Sequence, residues 1–333
     1  METLSLDQIA RSVVLQFPVL GSADRLQFLG NHGGFSGAKL WRLSARDGDF
    51  CLRAWPAGKT TPKKLDIIHA FMKRARDAGL AIVPSFYPTA QGASFVEESG
   101  RHWEVTSWMP GRPDFKEVPS RLKLRQAASA LARLHRSWLD FPFDTGPCPA
   151  VHRRLSCLRA WVEKTRSGWR PTAWDPGSAG ILPLAEQAKR LLERWTPRLA
   201  PLLEPWTERP LPLQMCVCDI WHDHLLFEGE ILTGLIDFGS IKRDHVAVDL
   251  SRMLGSLVGD SSDQWQEALT SYTRIRPLTD AEAALINVLD RSGAVLAIAN
   301  WLTWLYWDRR PFDNYSAVQE RLAAFIGRVE MWG

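Results

Sequence analysis

The stretch that decides the fold is residues 213–253, LQMCVCDIWHDHLLFEGEILTGLIDFGSIKRDHVAVDLSRM. It carries two carboxylates, Asp219 and Asp237, with two short apolar runs between them, 225–227 and 231–236. Glu228-Gly229-Glu230 separates the runs, a turn of the length that joins antiparallel strands. Folding such a hairpin brings the loop before it beside the loop after it, so Asp219 and Asp237 are expected near one another in one cleft. Asp-Phe-Gly taken alone is weak evidence, because Asp and Gly are common turn residues. Residue type, spacing and hairpin together carry far more.

Two carboxylates beside a polar loop can divide into a base that orients a hydroxyl and a ligand that holds a divalent cation. Phosphoryl-transfer sites have this layout: a catalytic-loop Asp, a metal ligand five positions later, then Asp-Phe-Gly. Asp219, His224 and Asp237-Phe238-Gly239 fall on those places. On these residues the chain resembles the aminoglycoside phosphotransferase and choline kinase-like family, small-molecule kinases with a protein-kinase-like fold. The family signature reads His-Gly-Asp-x-His-x-x-Asn, then Ile-Asp-Phe/Trp-Gly, then an Asp-Leu-Ala-like helix start. Here the equivalents are Val217-Cys218-Asp219-Ile220-Trp221-His222-Asp223-His224, Ile236-Asp237-Phe238-Gly239 and Val248-Asp249-Leu250-Ser251. Val217 replaces the first His, and His224 replaces the metal-binding Asn. An imidazole favours softer ions than Mg²⁺, so His224 either ligates, positions a water or weakens metal binding. The run 222–224 also allows a Zn²⁺ hydrolase reading, although no further ligands follow at regular spacing.

With 333 residues the chain is long enough for one large or two modest domains. Hydrophobic residues at 45% and charged residues at 23% describe a soluble globular protein. A net charge of +4 without Lys/Arg runs does not point to nucleic acid. Five cysteines form no framework and suit a reducing compartment. Cys216-x-Cys218 reads as strand residues facing one side rather than a redox pair. Without a signal-like start or a membrane-length apolar run, a cytoplasmic protein with no membrane partner is expected. Sixteen tryptophans imply large packing centres or an aromatic-lined pocket.

Residues 4–16 read as an amphipathic helix with Leu4, Ile9, Val13 and Leu15 as its buried face. Gly33, Gly34 and Gly37 precede an alternating strand, as in a turn whose backbone approaches phosphate oxygens or in a plain β-turn. Asp47-Gly48 is a hairpin turn and 50–55 the returning strand. The resemblance implies a cation on that strand for the nucleotide phosphates, and Arg53 is the candidate. Residues 61–79 read as a helix, where the family places a Glu that pairs with this cation. No Glu occurs there: His69 sits about where it is expected, with Asp66 or Glu97 as possible substitutes. Strands are expected at 82–83, 94–97 and 102–106. The resemblance places an adenine-binding hinge at 104–108, hence Glu104 and Thr106 as cofactor contacts, followed by Pro110-Gly111.

Residues 121–138 give the clearest helix, with Leu124, Ala127, Ala128, Leu131 and Leu134 as an apolar stripe and His135 as a packing or capping residue. Residues 141–176 show no readable chemistry, and 181–199 return to helical periodicity. Asp249 reads as the N-cap of a helix, while in the family the matching Asp steadies the catalytic loop. Thr279-Asp280-Ala281-Glu282 has capping-box character. Trp301, Trp304 and Trp307 put three indoles on one face, either a packing surface or a cage for a cationic ammonium group. A final helix is expected at 315–331.

The resulting expectation is an α+β, two-lobed kinase-like fold, with a β-rich nucleotide-binding lobe at 1–107 and a helical catalytic and substrate lobe at 108–333. The expected reaction is transfer of the ATP γ-phosphoryl group to a hydroxyl of a small molecule. Asp219 would orient or deprotonate the hydroxyl, Asp237 and His224 would hold Mg²⁺, and Arg53 with the 33–37 loop would hold the triphosphate. No protein partner is evident. The alternative is a catalytically weak pseudokinase that binds nucleotide or a partner, suggested by Val217, His224 and the missing helix Glu.

Overall fold

The computed structural model describes residues 5–21, 25–30, 37–139 and 144–333. The first elements in chain order are α1 (Leu6–Val14), β1 (Arg25–Gly30), β2 (Lys39–Ala45), β3 (Gly48–Ala54), α2 (Pro62–Asp77), β4 (Phe86–Tyr87), β5 (Val96–Glu98), β6 (Arg101–Ser107) and α3 (Arg121–Ser137). There follow β7 (Thr145–Gly146), α4 (Pro149–Arg166), α5 (Pro176–Leu203), β8 (Leu211–Pro212), β9 (Gln214–Cys216), β10 (Leu225–Glu228), β11 (Ile231–Leu235) and β12 (Lys242–Asp244). Four helices close the chain: α6 (Ala247–Val258), α7 (Ser262–Thr273), α8 (Asp280–Leu302) and α9 (Tyr315–Glu330). Two compact units result, one of residues 1–123 with 223–239, the other of 124–222 with 240–333.

The first unit is built on an antiparallel sheet in the order β1-β2-β3-β6-β4, with β5 also paired to β6. Strand alternation divides its faces. Phe50, Leu52 and Ala54 of β3 and Trp103 and Val105 of β6 turn to one side, where they form a core with Ala10, Val13 and Val14 of α1. Arg53 and Glu104, paired across the β3–β6 ladder, therefore turn to the other side. α1 starts at a Ser5–Gln8 capping box, but it ends at Val14, so Leu15 is 80% exposed rather than buried; Leu4 lies outside the described residues.

The strand expected at 82–83 is absent. Pro84 follows directly, Arg76 Nη1 caps the Ala81 and Val83 carbonyls at 2.8 and 3.3 Å, and pairing begins at Phe86. The 225–235 hairpin forms as expected, with Gly229 at φ +57° in its turn and a bulge at Leu226/Phe227. It belongs to this first unit, clipped to Arg112 through N–H···O bonds of 3.0 and 2.9 Å with Phe227. Gly111 permits that approach: at φ +94°, a Cβ there would stand 2.8 Å from the Phe227 carbonyl oxygen.

The second unit is helical. The α3 stripe of Leu124, Ala127, Ala128, Leu131 and Leu134 is buried as expected. α4 is a complete 18-residue helix inside the stretch 141–176, where the sequence offered no readable chemistry. Thr279 and Glu282 form the expected capping box of α8. β9 pairs with β12, Cys216 opposite Lys242 and Gln214 opposite Asp244. Among the described residues no helix is long and apolar enough to cross a membrane.

Candidate active site

In the first unit the site grows out of β3. Arg53 Nη2 lies 3.2 Å from Asp237 Oδ1, and its Nη1 lies 3.9 Å from Glu104 Oε1. Glu104 is 5% exposed, and a carboxylate so placed needs partners on every side. His69 Nε2 donates to Glu104 Oε2 at 2.7 Å, and His69 Nδ1 lies 2.7 Å from Ser94 Oγ. The His69 ring stacks on Phe86 at 4.8 Å. The acid missing from α2 is thus supplied by the neighbouring strand, and His69, at the family Glu position, braces it. Sequence reading missed this because cross-strand register, which puts Glu104 opposite Arg53, is not visible in local periodicity. Asp66 and Glu97 do not take the role.

Asp237 follows β11 with φ +63°, a left-handed conformation that costs a non-glycine residue energy and recurs at functional sites. Burial works against its ionisation, yet the Arg53 guanidinium, His224 and the Gly239 N–H hold its carboxyl below the usual range. Gly239 N donates to Asp237 Oδ1 at 3.3 Å. A Cβ at Gly239 would crowd Trp55 at 3.1 Å and that same oxygen at 3.2 Å, so the position is tight. The Arg53 guanidinium lies 4.9 Å from the Trp55 ring centre. His224 Nε2 stands 3.8 Å from Asp237 Oδ2, giving one hard oxygen donor and one imidazole facing each other. This donor set fits a divalent cation through Asp237; the imidazole suits Mn²⁺ or Zn²⁺ better than Mg²⁺.

In the second unit the loop after β9 carries Asp219. Cys218, which stands where the family has Gly, adopts φ +65°. α6 holds this loop at three points spaced i, i+3 and i+7, which share one helix face. Asp249 accepts from the Val217 and Cys218 N–H groups at 2.7 and 2.6 Å. Arg252 donates to Asp219 Oδ1 through Nη2 at 3.1 Å and Nε at 3.3 Å. Ser256 Oγ accepts from His222 N at 2.9 Å. Asp249 therefore lies inside the first turn and is not the N-cap, because its carboxylate is turned onto the loop. Its Oδ2 also accepts from His135 Nε2 at 3.0 Å, which leaves Nδ1 to accept from the Tyr272 hydroxyl at 2.7 Å. Burial keeps the His135 imidazole below its usual pKa despite Asp249, and so neutral. His135, Cys216 and Asp249 are metal-ligating types gathered within 4.8 Å. They are fully buried, and both Asp249 oxygens are already bonded, so the cluster serves as a brace.

Other expectations are corrected. Of Cys216 and Cys218 only the first lies in β9, and burial raises both thiols. Of the three indoles, α8 carries Trp301, while a π-turn over Thr303–Trp307 carries Trp304 and Trp307. Trp301 packs edge-on to Trp304 at 5.1 Å. The cation on Trp307 is the chain's own Lys164, whose Nζ lies 4.1 Å from that ring and 4.8 Å from Trp161. Of the glycine loop, Gly33 and Gly34 lie outside the described residues, while Gly37 adopts φ +83° beside Pro56. Thr106 sits on β6 opposite Cys51.

A strand cation met by an Asp-Phe-Gly carboxylate, and an Asp-bearing loop braced from a helix, are the parts of a kinase-like phosphotransferase. Comparison with known proteins agrees. Residues 28–285 match the sequence profile of the phosphotransferase enzyme family, and the chain belongs to that family. It is a small-molecule kinase. Homoserine kinase of Brucella canis (strain ATCC 23365 / NCTC 10854 / RM-666) is 25% identical over 270 residues, 78% of this chain and 76% of the relative. Homoserine kinase of Sinorhizobium fredii (strain NBRC 101917 / NGR234) is 27% identical over 250 residues, 74% and 68% respectively. Spectinomycin phosphotransferase APH(9)-Ia, solved with ADP and spectinomycin, superposes with a TM-score of 0.74 at 13% identity over 99% of this chain and 98% of that one. A microcompartment-associated aminopropanol kinase gives 0.63 at 15% identity over 96% and 94%. These likenesses establish the kinase-like fold.

Proposed function

We propose that the chain transfers the γ-phosphoryl group of ATP to a hydroxyl of a small molecule. The observation that carries the reading is the Arg53–Asp237 ion pair, in which the strand cation meets the Asp-Phe-Gly carboxylate. Arg53, steadied by Glu104 and His69, would hold phosphate oxygens through its planar fork. Asp237, with His224 as a second ligand, would hold a divalent cation that neutralises phosphate charge. Asp219 would orient the acceptor hydroxyl and take its proton as the oxygen bonds to phosphorus and the bond to the ADP oxygen breaks. The relatives named homoserine kinase support a small polar acceptor.

In such chemistry positioning and charge neutralisation supply most of the rate. Asp219→Asn is expected to lower ADP release with a good acceptor about a thousandfold while nucleotide still binds. A mutant with normal turnover would remove Asp219 from the role. Nucleotide-dependent thermal stabilisation without turnover on any acceptor would favour the pseudokinase reading instead.

A further inference from the structure

We propose, on the basis of the reading just given, that the acceptor carries a carboxylate close to its reacting hydroxyl, and that Arg252 and Arg321 flanking Trp221 recognise it. Arg252 spends Nε and Nη2 on Asp219 Oδ1, and among the described residues Asp219 is its only hydrogen-bond partner. The side chain is 32% exposed, and of the five donors of a guanidinium fork Asp219 engages only those on Nε and Nη2. Its guanidinium carbon lies 5.6 Å from the Trp221 ring centre, and that of Arg321, from α9, lies 4.2 Å from the same ring. Two guanidinium groups thus share one partly exposed indole next to the loop carboxylate. Asp219 itself is 43% exposed along its side chain.

An arginine fork pairs best with a planar anion. Because Arg252 already touches Asp219, an anion on its free edge and a hydroxyl on Asp219 must belong to one short molecule, only a few bonds apart. A short hydroxy acid or hydroxy amino acid satisfies that geometry. A polycationic acceptor without a carboxylate offers those guanidinium donors nothing to bind, and specificity is that difference in affinity.

The test compares ADP release by the full chain with L-homoserine, its amide and spectinomycin as acceptors. The expected result is a kcat/KM at least tenfold higher for the carboxylate than for the amide, with spectinomycin poorest. Arg321→Met is expected to reduce that carboxylate-to-amide ratio at least tenfold with the KM for ATP within twofold, and Arg321→Lys to restore part of it. Equal use of acid and amide, or an Arg321→Met effect on the KM for ATP instead, overturns the subsite; the latter would assign the arginines to nucleotide phosphate. If no acceptor yields ADP, the phosphotransfer reading itself fails, and calorimetric titration of L-homoserine into wild-type and Arg321→Met protein decides the subsite alone. Binding weakened tenfold by the substitution supports it; no binding, or equal binding by both, overturns it.

Discussion

Cys218 and Asp237 each hold a left-handed backbone, at φ +65° and +63°. Non-glycine residues adopt that region at a cost of about 1 kcal/mol or more, and β-branched ones least readily. At Cys218 the strain is local, so Cys218→Gly is expected to keep or raise Tm, whereas Cys218→Val should destabilise by about 1–3 kcal/mol. Thermal unfolding of the two variants checks the contrast, and a Val variant as stable as the Gly variant would count against a strained loop. On the proposed reading Glu104 acts through Arg53, which it faces at 3.9 Å. Replacing it with Gln keeps the shape and the His69 hydrogen bond but removes the charge facing the guanidinium. The expected consequence is a ten- to hundredfold lower kcat/KM for ATP, with acceptor KM little changed. Steady-state kinetics with each substrate varied in turn separate this from a general loss of fold.

α6 is the element that shapes the Asp219 loop. Asp249, Arg252 and Ser256 project from one face and bond to Val217, Cys218, Asp219 and His222. Asp249→Ala would strand two buried loop N–H groups and the His135 N–H, so a loss of about 3–5 kcal/mol is expected, with turnover falling too. Denaturant unfolding measures it, and a change below about 1 kcal/mol would mean the brace is dispensable. The sequence made some of this legible. The hairpin, the α3 stripe and the Thr279 capping box were readable because their signals are local: turn residues, helical period, a fixed i, i+3 pair. Asp249 was recognisable only through resemblance, and its local reading as an N-cap failed because capping and loop-bracing use the same residue type. Arg252 and Ser256 were there to be found at i+3 and i+7 from Asp249, once the face of α6 that meets the loop was known. Glu104 and His69 depended on strand register and on a tertiary contact from α2, which no local pattern encodes.

For the molecule as a whole, acid sensitivity should be concentrated where buried carboxylates hold elements together. Glu282 at the start of α8 is 3% exposed. Burial opposes its charge, but hydrogen bonds from His245 and the Thr279 N–H, and the Arg276 charge, bring its pKa from 4.5 down to about 2. A depressed folded-state value adds stability above the unfolded pKa and loses it as pH falls toward the folded one. The contribution is therefore complete above about pH 5 and fades between about pH 4.5 and 2, amounting to about 3 kcal/mol at neutral pH. Glu282→Gln should flatten the acid limb of an unfolding free energy–pH profile; an unchanged acid slope would show that the carboxylate titrates normally.

The central claim is that Asp219 and Asp237 have separate roles in one phosphoryl transfer. The most direct measurement is ADP release with L-homoserine and Mg²⁺ or Mn²⁺ for wild type, Asp219→Asn and Asp237→Asn, alongside nucleotide affinity. The expected result is turnover in the wild type, loss of about a thousandfold or more in both variants, nucleotide affinity kept in Asp219→Asn, and metal-dependent nucleotide affinity lost in Asp237→Asn. Undiminished turnover in either variant would contradict the account.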